Sequence, residues 1–323
     1  MCEASIGHLS GSVKSFCVLK DFSSTGKERK WAKFKAGSER LADLYRRANE
    51  VESLITDKRL GDLEHCGEYL EFALFADGNK RLKYAYFCRN RLCPMCQWRR
   101  SLKLSFRLRG ALERLSDAFK SVGYIFATFT VKNCTGCDLS STISDMTTSF
   151  STMLKRSPFK GKILGYCRTI EVTFDRKDWS YHPHIHALLV VDKGYFSGCG
   201  YVKQAVWREV WAESMNLDYL PLVNVQRADL GSAAEVAKYS TKGIDSLAKV
   251  KNQKLAVEVL SVLHKALKGR RLISAGGILK AALRDFDKDL IRDDEGVVED
   301  VNSPEIGCVI YRWMPKFGVY LEA

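Results

Sequence analysis

The chain lacks the long apolar runs that membrane proteins carry. None of its 323 residues falls in an uninterrupted apolar stretch of the roughly 18 to 20 residues needed to cross a bilayer. The N-terminus also lacks the succession of basic, apolar and small residues that forms a secretory signal. We therefore expect a soluble protein of the cytoplasm with no membrane partner.

Acidic residues are also in short supply. There are 38 Asp and Glu against 51 Lys and Arg, so the formal net charge is +13 and the pI is near 9.2. A basic excess of this size predicts a polyanionic partner such as nucleic acid. Charge alone does not indicate whether a particular nucleotide sequence is recognised.

An even set of cysteines suited to a disulfide framework is missing. Eleven cysteines in a chain of this length favour reduced thiols or thiolate metal ligands. Cys66, Cys88, Cys93 and Cys96 lie close together in sequence, and the last two form a Cys-Pro-Met-Cys knuckle. We predict that these four hold one structural zinc ion in a tetrahedral site. Four unrelated buried thiols are the alternative.

Histidine is scarce, and half of the histidines lie in one short stretch. Three of the six histidines fall within five residues, at the start of an apolar run that ends at Val191. Such a run predicts a buried strand. Side chains alternate along a strand, so His184 and His186 share one face. Two neutral imidazoles there favour a metal site, and a hydrogen-bonded histidine pair is the alternative.

The periodicity of the chain predicts an α+β fold in three parts. Residues 121–245 show strands and helices in the order βαββαβ and then one more helix, which predicts a ferredoxin-like antiparallel sheet with helices on one face. Residues 1–120 should form a loosely ordered arm up to residue 36, a helix from Ser38, and the cysteine cluster. Residues 246–323 should form a C-terminal extension that is first basic and then acidic.

The strand before the histidines supplies a third candidate ligand. The two strands are consecutive, so they should pair as a hairpin. With the hairpin centred near Asp178, Glu171 lies opposite His186 on the histidine face. One carboxylate and two imidazoles leave positions open on a divalent cation that polarises a phosphoryl oxygen. A cross-strand salt bridge is the alternative for Glu171.

The helix predicted after the sheet carries a candidate nucleophile. Glu235, Tyr239 and Lys242 would share one face of that helix, at positions i, i+4 and i+7. They offer a carboxylate that can move protons, an attacking hydroxyl and a cation for a phosphate. The same residue types are common on exposed helices, so this hypothesis depends on their lying in the same domain as the metal site.

Candidate DNA contacts are basic residues near these motifs. Arg99 and Arg100 follow the cysteine knuckle on a predicted helix. The default interpretation is that they lie on a solvated helix surface, and the second is that they contact phosphates. Arg270 and Arg271 lie in the basic stretch 249–280, which we predict adds a face for duplex DNA. Lys238, beside the tyrosine, completes the predicted set.

Several stretches together resemble the HUH endonucleases, and among them the rolling-circle replication initiators of small plasmids. The stretches are HPHIHALL, FATFTVKN, EVAKYSTKG, FCRNRLCPMCQWRR and ALKGRRLISAGGILKAA. The resemblance covers, with gaps, residues 31 to 282. It implies an HUH domain that uses Mg²⁺ or Mn²⁺ to nick and join single-stranded DNA at a plasmid origin. A 5′-phosphotyrosyl intermediate and a 3′-hydroxyl primer would result, and host helicase and polymerase would be partners.

The same resemblance implies roles for individual residues. The metal ligands would be His184, His186 and Glu171. Tyr239 would be the nucleophile, Glu235 the activator of water, and Lys242 a cation on the phosphate side. Two rival functions remain open: an HUH transposase or relaxase, which the single tyrosine and the knuckle disfavour, and a zinc-knuckle DNA-binding regulator without catalysis.

Overall fold

A computed structural model describes residues 17–23, 26–119, 121–197, 200–229, 247, 250, 252–289 and 303–323. These residues form two compact units, a smaller one from 17–46, 55–98 and 303–323 and a larger one from 47–54 and 99–289. No helix in the described part of the chain has the length and apolarity to span a membrane. The predicted α+β class is confirmed.

The smaller unit is built on a four-stranded antiparallel sheet. Its strands are β1 (Tyr69–Phe75), β2 (Lys80–Ala85), β8 (Glu305–Met314) and β9 (Val319–Glu322), in the order β2-β1-β8-β9. The helices α1 (Trp31–Val51) and α3 (Pro94–Ala118) begin in this unit, which also contains α2 (Asp57–Glu64). Thr56 caps α2 by accepting a hydrogen bond from the backbone N–H of Arg59.

The arm predicted to be loosely ordered is partly structured. Helix α1 begins at Trp31 rather than at Ser38, and Val18 pairs with Leu321 of β9. The indole of Trp31 donates a 2.7 Å hydrogen bond to the buried carboxylate of Asp21, and its ring packs edge-on against Phe72. These contacts join distant parts of the chain, so helical periodicity could not reveal them.

The larger unit contains the βαββαβ segment at the predicted positions. Its elements are β3 (Val122–Thr130), α4 (Leu139–Met153), β4 (Ile163–Asp175), β5 (Ser180–Asp192), α5 (Gln204–Ser214) and β6 (Val223–Ala228). These four strands are antiparallel in the order β6-β3-β5-β4, the order of a split βαβ sheet. The helix predicted after the sheet, which carries Tyr239, lies outside the described residues.

Helices cover both faces of this sheet, whereas the sequence predicted one. The rings of Trp207 and Trp211 on α5 contact Phe129 on one face. On the other face a cluster joins α3 and α7 (Gly277–Asp289) to Phe126 and Leu188. Both α3 and α7 lie outside the βαββαβ stretch, so the pattern of that stretch could not show them.

The segment expected to be one C-terminal extension is divided between the units. Helix α6 (Gln253–Leu267), strand β7 (Ile273–Gly276) and α7 belong to the larger unit, where β7 pairs with β4 as a fifth strand. Strands β8 and β9 belong to the smaller unit. Local sequence patterns indicate such elements but not the distant strand that each one pairs with.

Candidate functional site

The β4–β5 hairpin sets the register of the candidate metal ligands. Asp175 pairs with Ser180 around a four-residue turn, which places Glu171 opposite His184. The prediction that Glu171 lies opposite His186 is therefore wrong by two residues. The turn is centred one residue earlier than expected because Asp175 accepts the N–H of Lys177 at 2.8 Å and thereby begins the turn early. A shift of two residues keeps the same face, so all three side chains still lie together.

Glu171 sits between the two histidines. Its Oε2 lies 2.8 Å from Nε2 of His186 and 3.9 Å from Nε2 of His184. The ligand atoms of the three residues lie within 4.8 Å of one another. On the neighbouring strand, the hydroxyl of Thr128 hydrogen-bonds Nδ1 of His186 at 3.0 Å. This contact leaves Nε2 as the nitrogen that faces the carboxylate.

The donor set suits a divalent cation. Glu171 and His186 are only 4% and 5% exposed, while His184 is half-buried. A buried carboxylate is costly without compensating positive charge, and two imidazoles with one carboxylate form a three-ligand set that leaves coordination positions open. The three residues could hold one ion and present it on the side where His184 reaches solvent.

A third histidine lies on the same face, and sequence reasoning gave it no role. His182 donates from Nδ1 to the side-chain oxygen of Asn133 at 2.5 Å, and its ring centre is 4.7 Å from that of His184. Burial lowers the pKa of His182. The two-residue spacing between His182 and His184 could have indicated that their side chains share a face. Asn133, 49 positions away, left no such signal.

The four predicted zinc ligands are brought together in the smaller unit. All four are buried, and their sulfurs lie within 4.8 Å of one another. Cys66 Sγ is 3.6 Å from the sulfurs of Cys93 and Cys96, and Cys88 Sγ is 3.6 Å from that of Cys96. Tetrahedral zinc with Zn–S bonds of about 2.3 Å separates its sulfurs by roughly 3.8 Å. The spacing therefore fits one zinc ion.

The pKa shifts of these thiols also agree with a site for a cation. Hydrogen bonds with the other three cysteines raise the pKa of Cys66, and burial raises it further. Burial would raise the pKa of Cys93, but hydrogen bonds from its neighbours and Ser38 outweigh it and hold that pKa well below the usual range. Backbone N–H groups of Cys88 and Asn90 point at sulfurs. Without a metal, closely packed thiols differ in pKa, so that some keep their protons while another ionises. A bound divalent cation favours the ionised form of its thiol ligands.

Glu235, Lys238, Tyr239 and Lys242 lie outside the described residues. Their roles remain predictions from the sequence.

The predicted DNA contacts differ in how accessible they are. Arg100 and Arg271 are exposed, and Arg99 is half-buried. The guanidinium of Arg270 donates to the backbone oxygens of Ala266 and Ser140 and to the hydroxyls of Ser140 and Ser144, at 2.6 to 2.8 Å. Arg270 therefore ties the end of α6 to α4.

Comparison with known proteins gives one consistent result. A family model described as "Replication protein" matches residues 79–320. "Protein rep" of Streptococcus pneumoniae serotype 2 (strain D39 / NCTC 7466) is 38% identical in an alignment that covers 81% of this chain and 81% of that protein. "Protein rep" of Bacillus amyloliquefaciens is 35% identical in an alignment that covers 83% of this chain and 85% of that protein. "Protein rep" of Lentilactobacillus hilgardii is 33% identical, with 87% and 92% covered. No solved structure matches.

Proposed function

Because the chain belongs to the replication protein family of rolling-circle plasmid initiators, we propose that it nicks and rejoins one strand of a plasmid origin. The observation that carries this proposal is the group of Glu171, His184 and His186, whose ligand atoms lie within 4.8 Å of one another. The antiparallel strand order around that group supports an HUH endonuclease domain.

The proposed first step is a transesterification. The Tyr239 hydroxyl attacks the scissile phosphorus, a bond forms between the tyrosine oxygen and phosphorus, and the bond from phosphorus to the 3′ oxygen breaks. The hydroxyl proton passes to a base, and the departing oxygen takes up a proton. The products are a 5′-phosphotyrosyl protein and a free 3′-hydroxyl that primes synthesis.

Two further residues of the same motif have proposed roles. Glu235 would take a proton from a water or an incoming hydroxyl in the later step that releases the protein. Lys242 would hold the phosphate as a cation.

Glu171, His184 and His186 would hold the divalent cation, Mg²⁺ or Mn²⁺. When bound, it supplies polarisation of a non-bridging phosphoryl oxygen. Two nitrogen donors favour Mn²⁺ over Mg²⁺, which prefers an all-oxygen shell. Thr128 occupies Nδ1 of His186 and so fixes the direction in which its Nε2 is presented.

The remaining assignments concern stability and partners. We propose that the four clustered cysteines hold structural zinc and that Arg99, Arg100, Lys238 and Arg271 contact phosphates of the origin, duplex or single-stranded. Arg270 is assigned to the fold because its donors are bonded within the protein. Host helicase and polymerase would extend the primer, and the protein would act in the cytoplasm.

The test is a nicking assay on supercoiled plasmid that carries the origin, with Mn²⁺ or Mg²⁺ present. We expect His184→Ala to abolish both the nick and the covalent protein–DNA species seen on a denaturing gel, because one of three metal ligands is lost. His65→Ala is the matched control, since the His65 side chain is exposed and its Nδ1 contacts Glu68, away from the three candidate ligands. Origin binding by the native chain without any covalent species would instead indicate a non-catalytic regulator.

A further inference from the structure

Trp179 occupies an unfavourable backbone conformation at the tip of the β4–β5 hairpin. Its φ is +61°, in the left-handed region that glycine and asparagine adopt more readily than residues with a bulky side chain. Its side chain is 55% exposed. Non-glycine residues held in this region cluster at functional sites, so an outlier of this kind calls for a functional explanation.

The turn itself does not depend on the indole ring. Asp175 accepts the N–H of Lys177, and Asp178 accepts both the N–H of Ser180 at 3.2 Å and its hydroxyl at 2.5 Å. Within the described residues, the Trp179 ring takes part in no aromatic contact, cation–π contact or hydrogen bond. The ring therefore contributes little to folding, while the backbone beneath it is strained.

The tip is braced against the segment that follows β3. Asn133 donates to the hydroxyl of Ser180 at 2.6 Å and accepts from His182 at 2.5 Å. Cys134 and Tyr181 exchange two backbone hydrogen bonds of 2.9 Å. Trp179 directly precedes β5, and His184 is the fifth residue of that strand, roughly 13 Å from Ser180 at 3.3 Å per residue. The backbone that carries the ring is thus held at a set distance from the candidate metal ligands.

We propose that Trp179 is a stacking platform for an unpaired base of the single-stranded DNA that reaches the metal site. Bases in a duplex are already stacked on one another, whereas an unpaired base offers a free face to an aromatic ring, whatever its identity. Arg176 and Lys177 are exposed residues of the same turn and supply cations for the adjoining phosphates. The carboxylates of Asp175 and Asp178 are turned to backbone N–H groups of the turn. This proposal rests on the proposed function, which brings single-stranded DNA to this hairpin.

The experiment compares Trp179→Asn, Trp179→Phe and the native chain. Affinity is measured by fluorescence anisotropy with a short mixed-sequence oligonucleotide, once single-stranded and once as a duplex. We expect Trp179→Asn to lose about tenfold in single-strand affinity, the size of one lost stack, with duplex affinity unchanged. Trp179→Phe should keep most of the affinity. Tyr201→Asn is the matched control, since Tyr201 is equally exposed at 55% beyond the opposite end of β5.

Thermal unfolding separates a contact with DNA from a role in the fold. Asparagine accepts the left-handed conformation, so Trp179→Asn should unfold at the same or a higher temperature than the native chain. Unchanged single-strand affinity in Trp179→Asn would overturn the proposal. So would equal losses for single strand and duplex, a lower melting temperature, or a change of oligomeric state without a change in DNA affinity. The His184→Ala nicking assay tests the proposed function separately, because nicking and single-strand affinity are different readouts.

Discussion

At the scale of single residues, Glu171 illustrates how much depends on one buried carboxylate. It is nearly inaccessible and has hydrogen-bond acceptors that must be matched. Nε2 of His186 at 2.8 Å meets part of that requirement, and His184 at 3.9 Å is close without being bonded. The longer separation leaves room between carboxylate and imidazole for an ion that binds both.

The division of labour in the tyrosine motif can be tested with two substitutions. Tyr239→Phe removes the attacking hydroxyl, so the nick and the covalent adduct should both vanish. Glu235→Gln should keep nick and adduct but slow release of the protein by about a hundredfold to ten-thousandfold, the cost of losing one general base. A time course of adduct and of displaced multimeric single strands measures both. If Glu235→Gln forms no adduct, then Glu235 belongs to the first step or to the fold.

Residue types and spacing were enough to predict some members of the candidate site. His184 and His186 were predicted from strand alternation, and the four cysteines from their clustering and the knuckle. Asn133 was not predicted, because its contact with His182 spans 49 positions. Trp179 was not predicted either, because left-handed backbone at a tryptophan follows from the way the turn closes.

At the scale of elements, the local sequence pattern does not determine the register in which two strands pair. Alternation along β4 and β5 fixes which side chains share a face, but a slip of two residues preserves every face. Asp175 and Asp178 decided between the registers by bonding N–H groups within the turn. The predicted order of elements holds for α4, β4 and β5 because long periodic segments carry a strong signal.

The entry into α7 depends on a glycine. Gly277 has φ +60°, and a Cβ there would lie 2.1 Å from the backbone oxygen of Leu164 on β4. Gly277→Ala should therefore destabilise the protein by more than the roughly 1 to 2 kcal/mol that the left-handed conformation alone costs. Gly269→Ala is the matched control, because Gly269 has φ +73° with open space around the added methyl. Urea unfolding of both variants measures the difference, and equal losses would show that β4 yields to the added methyl.

At the scale of the whole molecule, the family membership expected from the motifs is confirmed, while the grouping of segments was beyond the reach of local pattern. The predicted C-terminal extension ends in β8 and β9. The pairing of β8 with β1 is a contact across most of the chain length. Nothing in the hydrophobic period of β8 distinguishes one antiparallel neighbour from another.

Loss of the cysteine-bound ion should affect the smaller unit first. We expect one zinc per chain, and none after Cys96→Ser, because a structural zinc site needs all four ligands. Protease cleavage within residues 55–98 should rise at the same time, since zinc binding and folding are coupled. Cys167→Ser is the control: Cys167 is buried in the larger unit, where burial raises its pKa to about 12 and keeps it a thiol. Zinc content that survives Cys96→Ser, with the cysteines open to alkylation, would contradict the assignment.

Because β8 lies between β1 and β9, the sheet of the smaller unit cannot be completed until the end of the chain has been synthesised. Roughly 230 residues separate Phe75 from its partner Glu305, so a ribosome that adds about 5 to 20 residues per second takes roughly ten to fifty seconds to deliver that partner. During this interval the edge of β1 has no neighbour on that side, and an unpaired strand edge invites pairing with other chains. The four cysteines are translated long before β8, so early capture of their ion would hold the nascent sheet in place until its missing strand arrives.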